Sequence, residues 1–253
     1  MNTQITSVDA TKVMAPTPFG QDRALPLALG VLTVVTGLVD AISFLGFGHI
    51  FTANMTGNVV FFGFAVAGAP GLSISRSLTS LIAFLVGAIL GGRLAVAMAA
   101  TSRRRWLVAI AVAEAGLLFA SGFVSIGIDI RSATASTSVY GAIILTALGM
   151  GLRNATVRRL GFPDMNTTVL TLTLTGLAAD SLLAGGSNPR IVRRAASILL
   201  MFIGAAIGAL LLRLSLPLPL VLSGALALAA AGVFATVREP SPVNNGNGQA
   251  GLR

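Results

Sequence analysis

The chain has 253 residues and no cysteine. That excludes disulfides, thiolate metal sites and a thiol nucleophile. It has one histidine, His49, and eight acidic residues in all, so a buried metal cluster is hard to assemble, and no metal or cofactor is expected. No Ser/His, Asp/Asp or metal-ligand spacing points to catalysis, and the chain is not expected to be an enzyme. Charge of either sign is scarce. Asp, Glu, Lys and Arg make up 10% of the residues, where soluble domains carry about 25%. In its place stands hydrocarbon: 55% of the residues are hydrophobic and the mean hydropathy is +0.88. This is the composition of an integral membrane protein in contact with a lipid bilayer.

The charge that remains is mostly arginine, and the isoelectric point is near 11.8. A nucleic-acid binder would need that charge on a water-facing surface. Here most of it sits in short gaps between apolar runs, the mark of cytoplasmic loops. Nucleic acid is therefore not expected as a partner.

The apolar runs divide the chain into eight segments: about 26–48, 58–69, 77–100, 106–128, 139–152, 167–183, 195–212 and 214–237. The first is long enough for a crossing, since about 20 residues suffice. The second is too short, and the sixth is threonine-rich and ends near Asp180. The fold class expected is all-α: a polytopic membrane protein with six transmembrane helices and two short helices, re-entrant or half-length. Residues 1–24 read as a disordered cytoplasmic tail, without the charged region and cleavage site of a signal peptide. A first membrane repeat covers 25–128, a loop 129–138, a second repeat 139–237 and a disordered tail 238–253.

The repeat rests on two alignments. A shift of 110 places Asn54-Met55 on Asp164-Met165. A shift of 117 places Arg76 on Arg193, and Gly87-x-x-x-Gly91 on Gly204-x-x-x-Gly208. Such small-xxx-small pairs let membrane helices approach closely. Loop charge then selects a topology. If all eight segments cross from an inside N-terminus, eight of the seventeen basic residues lie outside. If the second and sixth enter and leave on one face, only Arg76, Arg131 and Arg213 lie outside and the other fourteen inside. The positive-inside rule selects the second layout, with both termini cytoplasmic. Each repeat then has three crossings, so the second copy is inverted, an arrangement recurrent in transporters.

The two short segments begin in polar stretches, Phe51-Thr52-Ala53-Asn54-Met55-Thr56-Gly57-Asn58 and Gly161-Phe162-Pro163-Asp164-Met165-Asn166-Thr167-Thr168. Eight extended residues from Gly48 reach up to roughly 26 Å, and the bilayer midplane is only about 15 Å deep. Helices starting there would aim free N–H groups and positive dipole ends at a shared centre. The candidate substrate-binding residues are Asp40, Asn54, Thr56, Asn58, Arg153, Asp164, Asn166 and Thr167. Asp40 and Arg153 are charges within spans, which are costly and mark function by default; they are expected to face the polar stretches and each other. Glu114 is a further intramembrane acid that could pair with an arginine. Against this stands the alternative that the Asn and Thr side chains cap ordinary short helices and bond within the bundle.

The run Gly37-Leu-Val-Asp40-Ala-Ile-Ser43-Phe-Leu-Gly46, followed by Phe51-Thr-Ala-Asn54-Met-Thr-Gly57-Asn58, resembles the YoaK-type family of bacterial membrane proteins, over about residues 25 to 237. The resemblance implies a bacterial inner-membrane protein, but no substrate and no catalytic residue. The inverted repeat, the polar breaks and the buried charges together lead to the expectation of a transporter or channel for a small polar or anionic solute. A non-transporting scaffold or partner subunit is the alternative. A homo-oligomer stays open.

Overall fold

The computed structural model describes residues 24–99, 101–128, 136–160, 170–188 and 190–237. Among them every regular element is helical: α1 (Ala24–Ala41), α2 (Met55–Val66), α3 (Ile74–Ala97), α4 (Arg103–Val124), α5 (Thr137–Leu160), α6 (Leu170–Ala179), α7 (Ile191–Leu212) and α8 (Pro217–Phe234). A single 3-10 turn, Leu182–Ala184, follows α6. The expectations for the two tails, for most of the central loop and for Asp164, Asn166 and Thr167 fall outside the described residues.

The helix starts follow from capping. Asn54, Ser73 and Ser102 each offer a side-chain oxygen to the N–H three residues on, at the heads of α2, α3 and α4. Such a contact satisfies one of the unpaired donors of a first turn. α1 does not stop at Ala41 but widens into a π-turn, Ile42–Gly46. There the Ser43 hydroxyl donates to the carbonyls of Val39 and Asp40, at 2.7 and 3.2 Å. The chain then reverses at Gly48, whose φ is +91°. A Cβ there would meet the tip of the flexible Arg76 side chain, which can shift, so it is the backbone conformation that calls for glycine.

Five helices, α1 with its π-turn, α3, α4, α7 and α8, are long and apolar enough to cross a membrane. At 1.5 Å per residue, α2 and α6 are only about 18 and 15 Å long, well short of a hydrocarbon layer of about 30 Å. α5 has the length, at 24 residues, but carries Arg153, Arg158 and Arg159. The sequence expectation that this segment ends at Leu152 is corrected: the helix runs two turns further. Arg153 is neutralised inside the bundle. Arg158 and Arg159 sit exposed in the last turn, where the helix dipole favours cations.

Direction of packing carries topological information. α4 and α8 are antiparallel: Gly122 faces Pro217 to Val221, Phe119 covers Gly224, and Leu107 and Ile110 share a buried cluster with Ala230 and Phe234. α1 and α5 are also antiparallel, with Leu32 and Thr36 at Arg153, and Ile42, Phe47 and Ile50 among Val139, Ala142 and Ile143. Eight alternating crossings would make both pairs parallel. By contrast, α1 runs parallel to α7 and α3 parallel to α5, through glycines packed against backbone. A Cβ on Gly204 would lie 2.2 Å from the Val34 carbonyl oxygen, and one on Gly87 would lie 2.2 Å from that of Leu148. The close approach expected of Gly87, Gly91, Gly204 and Gly208 is what the structure has, with α5 and α1 as the partners.

Candidate functional site

Residue by residue, the polar stretch after α1 separates into two kinds. Asn58 is fully buried and spends its amide on the chain. Its Oδ1 accepts from the Phe51 N–H at 2.7 Å, and its Nδ2 donates to the Phe51 carbonyl and, at 3.1 Å, to Ser80 Oγ. Ser80 in turn donates to the same carbonyl at 2.6 Å. Asn58 thus pins the return loop to α3. On the loop's other side Phe51 stacks with Phe44 and Phe61, at centroid distances of 5.4 and 5.8 Å, and Phe44 and Phe61 tilt against each other at 6.1 Å. His49 packs edge-on against Phe44.

Asn54 and Thr56 remain exposed. They open onto a cavity of about 430 Å³ that also receives Thr36 and Asp40 from α1, Leu170 and Thr171 from the start of α6, and Met201 from the middle of α7. The start of α2 and the first described residues of α6 therefore meet at one hollow. Asp40 is its charged side chain, and its Oδ1 is enclosed without a hydrogen bond. The Asn54 Oδ1 is taken by the Gly57 N–H at 3.4 Å, which leaves its Nδ2 as a donor.

Arg153 does not line this cavity, and its ion-pair partner is not Asp40. That expectation is corrected. Arg153 is 1% exposed and lies 2.9 Å from Glu114, which is fully buried. The reason is register: on α5, Arg153 faces α4 and α1. Its guanidinium donates to the Leu32 carbonyl at 3.1 Å and to Thr36 Oγ1 at 2.9 Å. The contact with Glu114 is a close charge pair rather than an aligned hydrogen bond, so the carboxylate keeps unused acceptor capacity. Thr36 both touches Arg153 and lines the cavity, which joins the ion pair to the site. The sequence reading left Thr36 out because a threonine inside an apolar run carries no signal of its own.

Other charges are peripheral. Asp180 pairs with Arg194 at 2.7 Å, and Arg194 also donates to the Gly176 carbonyl, clasping α6 to α7. Among the described residues no group of three His, Asp or Glu side chains could hold a metal. A larger groove of about 620 Å³ runs between the N-terminal halves of α1 and α7, lined by Leu27, Val31, Val34 and Leu200 with Arg190 and Arg193 at its end. Its walls suit acyl chains rather than a polar solute.

Residues 28–236 match the model of a family described as a protein of unknown function, DUF1275. The chain belongs to this family. A curated relative of it is the UPF0700 transmembrane protein YoaK of Bacillus subtilis (strain 168), 35% identical over 155 residues. That alignment takes in 60% of this chain and 65% of the relative, so the chain spans just under two thirds of the relative's length. The resemblance seen in the Asp40 and Asn54 motifs is thereby borne out, and this DUF1275 member is a multi-pass transmembrane protein. No solved structure matches it.

Proposed function

We propose that this chain is an inner-membrane transporter or channel for a small polar solute, built from two inverted copies of three crossings and one short helix. The observation that carries the reading is the cavity where Asp40, Asn54 and Thr56 meet the start of α6. Within a bilayer, irregular backbone and a carboxylate are tolerated only where protein encloses them or water reaches them. The solute chemistry follows from the lining. Its charged side chain is a carboxylate whose Oδ1 lacks a partner, while the start of α2 contributes a positive dipole end. That combination disfavours a bare anion and suits a donor-bearing solute, uncharged or with one positive group.

The six-crossing layout is supported by the shortness of α2 and α6 and by the antiparallel pairs α1/α5 and α4/α8. α5 serves as the sixth crossing because Glu114 neutralises its buried arginine. Loop charge supports cytoplasmic termini in this reading. No catalytic step belongs to this reading. Single cysteines test it on a cysteine-free background. Asn54→Cys and Thr56→Cys are expected to react, in intact membranes, with a charged thiosulfonate that cannot enter lipid. Unreactive thiols at both positions in folded protein would mean a dry centre and would contradict the proposal.

A further inference from the structure

We propose that Asn154 is a second solute-contacting residue, the counterpart of Asp40 in the other half of the protein, and that the two set the charge of one shared site. The inference rests on the proposed function. Its first support is the register of the helix pairs. A Cβ on Gly37 would meet the Met201 carbonyl oxygen at 2.2 Å and the Ala205 nitrogen at 2.7 Å. A Cβ on Gly151 would meet the Phe84 carbonyl oxygen at 2.1 Å and the Ala88 nitrogen at 2.9 Å. Gly204 faces Val34 as Gly87 faces Leu148, and Gly208 faces Leu38 as Gly91 faces Leu152. All three matches give one alignment, in which α1 maps onto α5 with Asp40 on Asn154, and α3 onto α7 with Phe84 on Met201.

The second support is independent of the first. Both polar atoms of the Asn154 side chain are enclosed and neither has a hydrogen-bond partner. A structural amide inside a bundle is normally paired. One left wholly unpaired calls for a ligand or water that comes and goes. Asp40, at the matching position, has the same deficit at Oδ1. The turn before Asn154 is linked to the site through the core. Met150 shares a buried cluster with Ala53, and Ala53 lines the cavity.

The cavity as it stands is lined by α1 and α7 beside the two short helices and shows the solute Asp40. In the matched arrangement of the proposal α5 and α3 take the places of α1 and α7, and the site shows Asn154. One carboxyl and one amide give the site at most a single negative charge. The ligand class is a small solute with one positive or donor group for Asp40 and a second polar group that satisfies the amide.

Asn154→Cys and Asp40→Cys, made separately in the full chain, are treated in membranes with 2-aminoethyl methanethiosulfonate, which is cationic, and with the anionic 2-sulfonatoethyl reagent. Both variants are expected to react. At Asn154→Cys the retained Asp40 should favour the cationic reagent by about tenfold or more, as a focused negative potential does. Adding Asp40→Asn should erase that preference. Asn154→Leu should leave the thermal midpoint unchanged or raised, because it removes no bond made in the fold. Reaction at Asp40→Cys with silence at Asn154→Cys would overturn the inference and leave the proposed function standing. Silence at both would overturn both. A preference that survives Asp40→Asn, or a midpoint lowered by Asn154→Leu, would also count against a shared site.

Discussion

Arg153 of α5 and Glu114 of α4 lie 2.9 Å apart with both side chains sealed from solvent. This pair lets a helix with an interior arginine belong to the bundle. Removing one partner of a buried pair leaves the other uncompensated, at a cost of about 3–5 kcal/mol. Glu114→Gln or Arg153→Met alone should therefore sharply lower the midpoint of thermal unfolding in detergent. Glu114→Leu together with Arg153→Met should recover most of it. Single variants as stable as the parent would show that the charges do not depend on each other.

The glycine contacts make a second prediction. Gly204 and Gly87 oppose backbone rather than the tips of flexible side chains, so a larger residue cannot be accommodated by a rotamer change. Gly204→Leu and Gly87→Leu should each cost at least the ~1–3 kcal/mol typical of overpacking. Gly92 and Gly232, with nothing within 4 Å of a built Cβ, are the controls, and alanine there should be tolerated. Equal yield for both groups would remove the argument that these glycines set helix spacing.

Asn54 and Asn58 stand four residues apart and should respond in opposite ways. Asn58→Leu strands the half-buried Phe51 N–H, at up to about 1–3 kcal/mol for an unmet donor, and should deplete the protein from the membrane. Asn54→Leu loses only a long, exposed capping contact, at about 0.5–2 kcal/mol, and should leave folded protein without activity. The prediction fails if the two variants behave alike in both yield and transport.

Topology gives the fourth prediction. Cysteine at Arg104, next to two further arginines at the head of α4, should be shielded from an impermeant reagent added outside intact cells and exposed in inverted vesicles. Labelling from the outside would contradict the six-crossing layout.

Much of the fold was legible in the sequence because a crossing needs a run of apolar residues, and α1, α3, α4, α7 and α8 each have one. The glycine spacing was legible for a similar reason, since close approach leaves a four-residue period. The end of α5 was not. Arg153 reads as the end of an apolar run unless its neutralising acid is known, and Glu114 lies in another helix, brought there by packing alone. The same limit applies to Asn58. Sequence marks it as polar at a helix start, like Asn54, and only the return of Phe51 against it shows that its amide is already used. Asp40, Asn54 and Thr56 line one cavity because each lies near the break after α1.

The most direct measurement of the central claim is flux in proteoliposomes, with and without a proton gradient, across small neutral, cationic, zwitterionic and anionic solutes. The account predicts that at least one donor-bearing neutral, zwitterionic or monocationic solute crosses faster than in protein-free liposomes, that anions do not, and that Asn54→Leu abolishes the flux while the protein stays folded. Flux confined to anions, or flux unchanged in Asn54→Leu, would contradict it, as would a full panel at the protein-free rate.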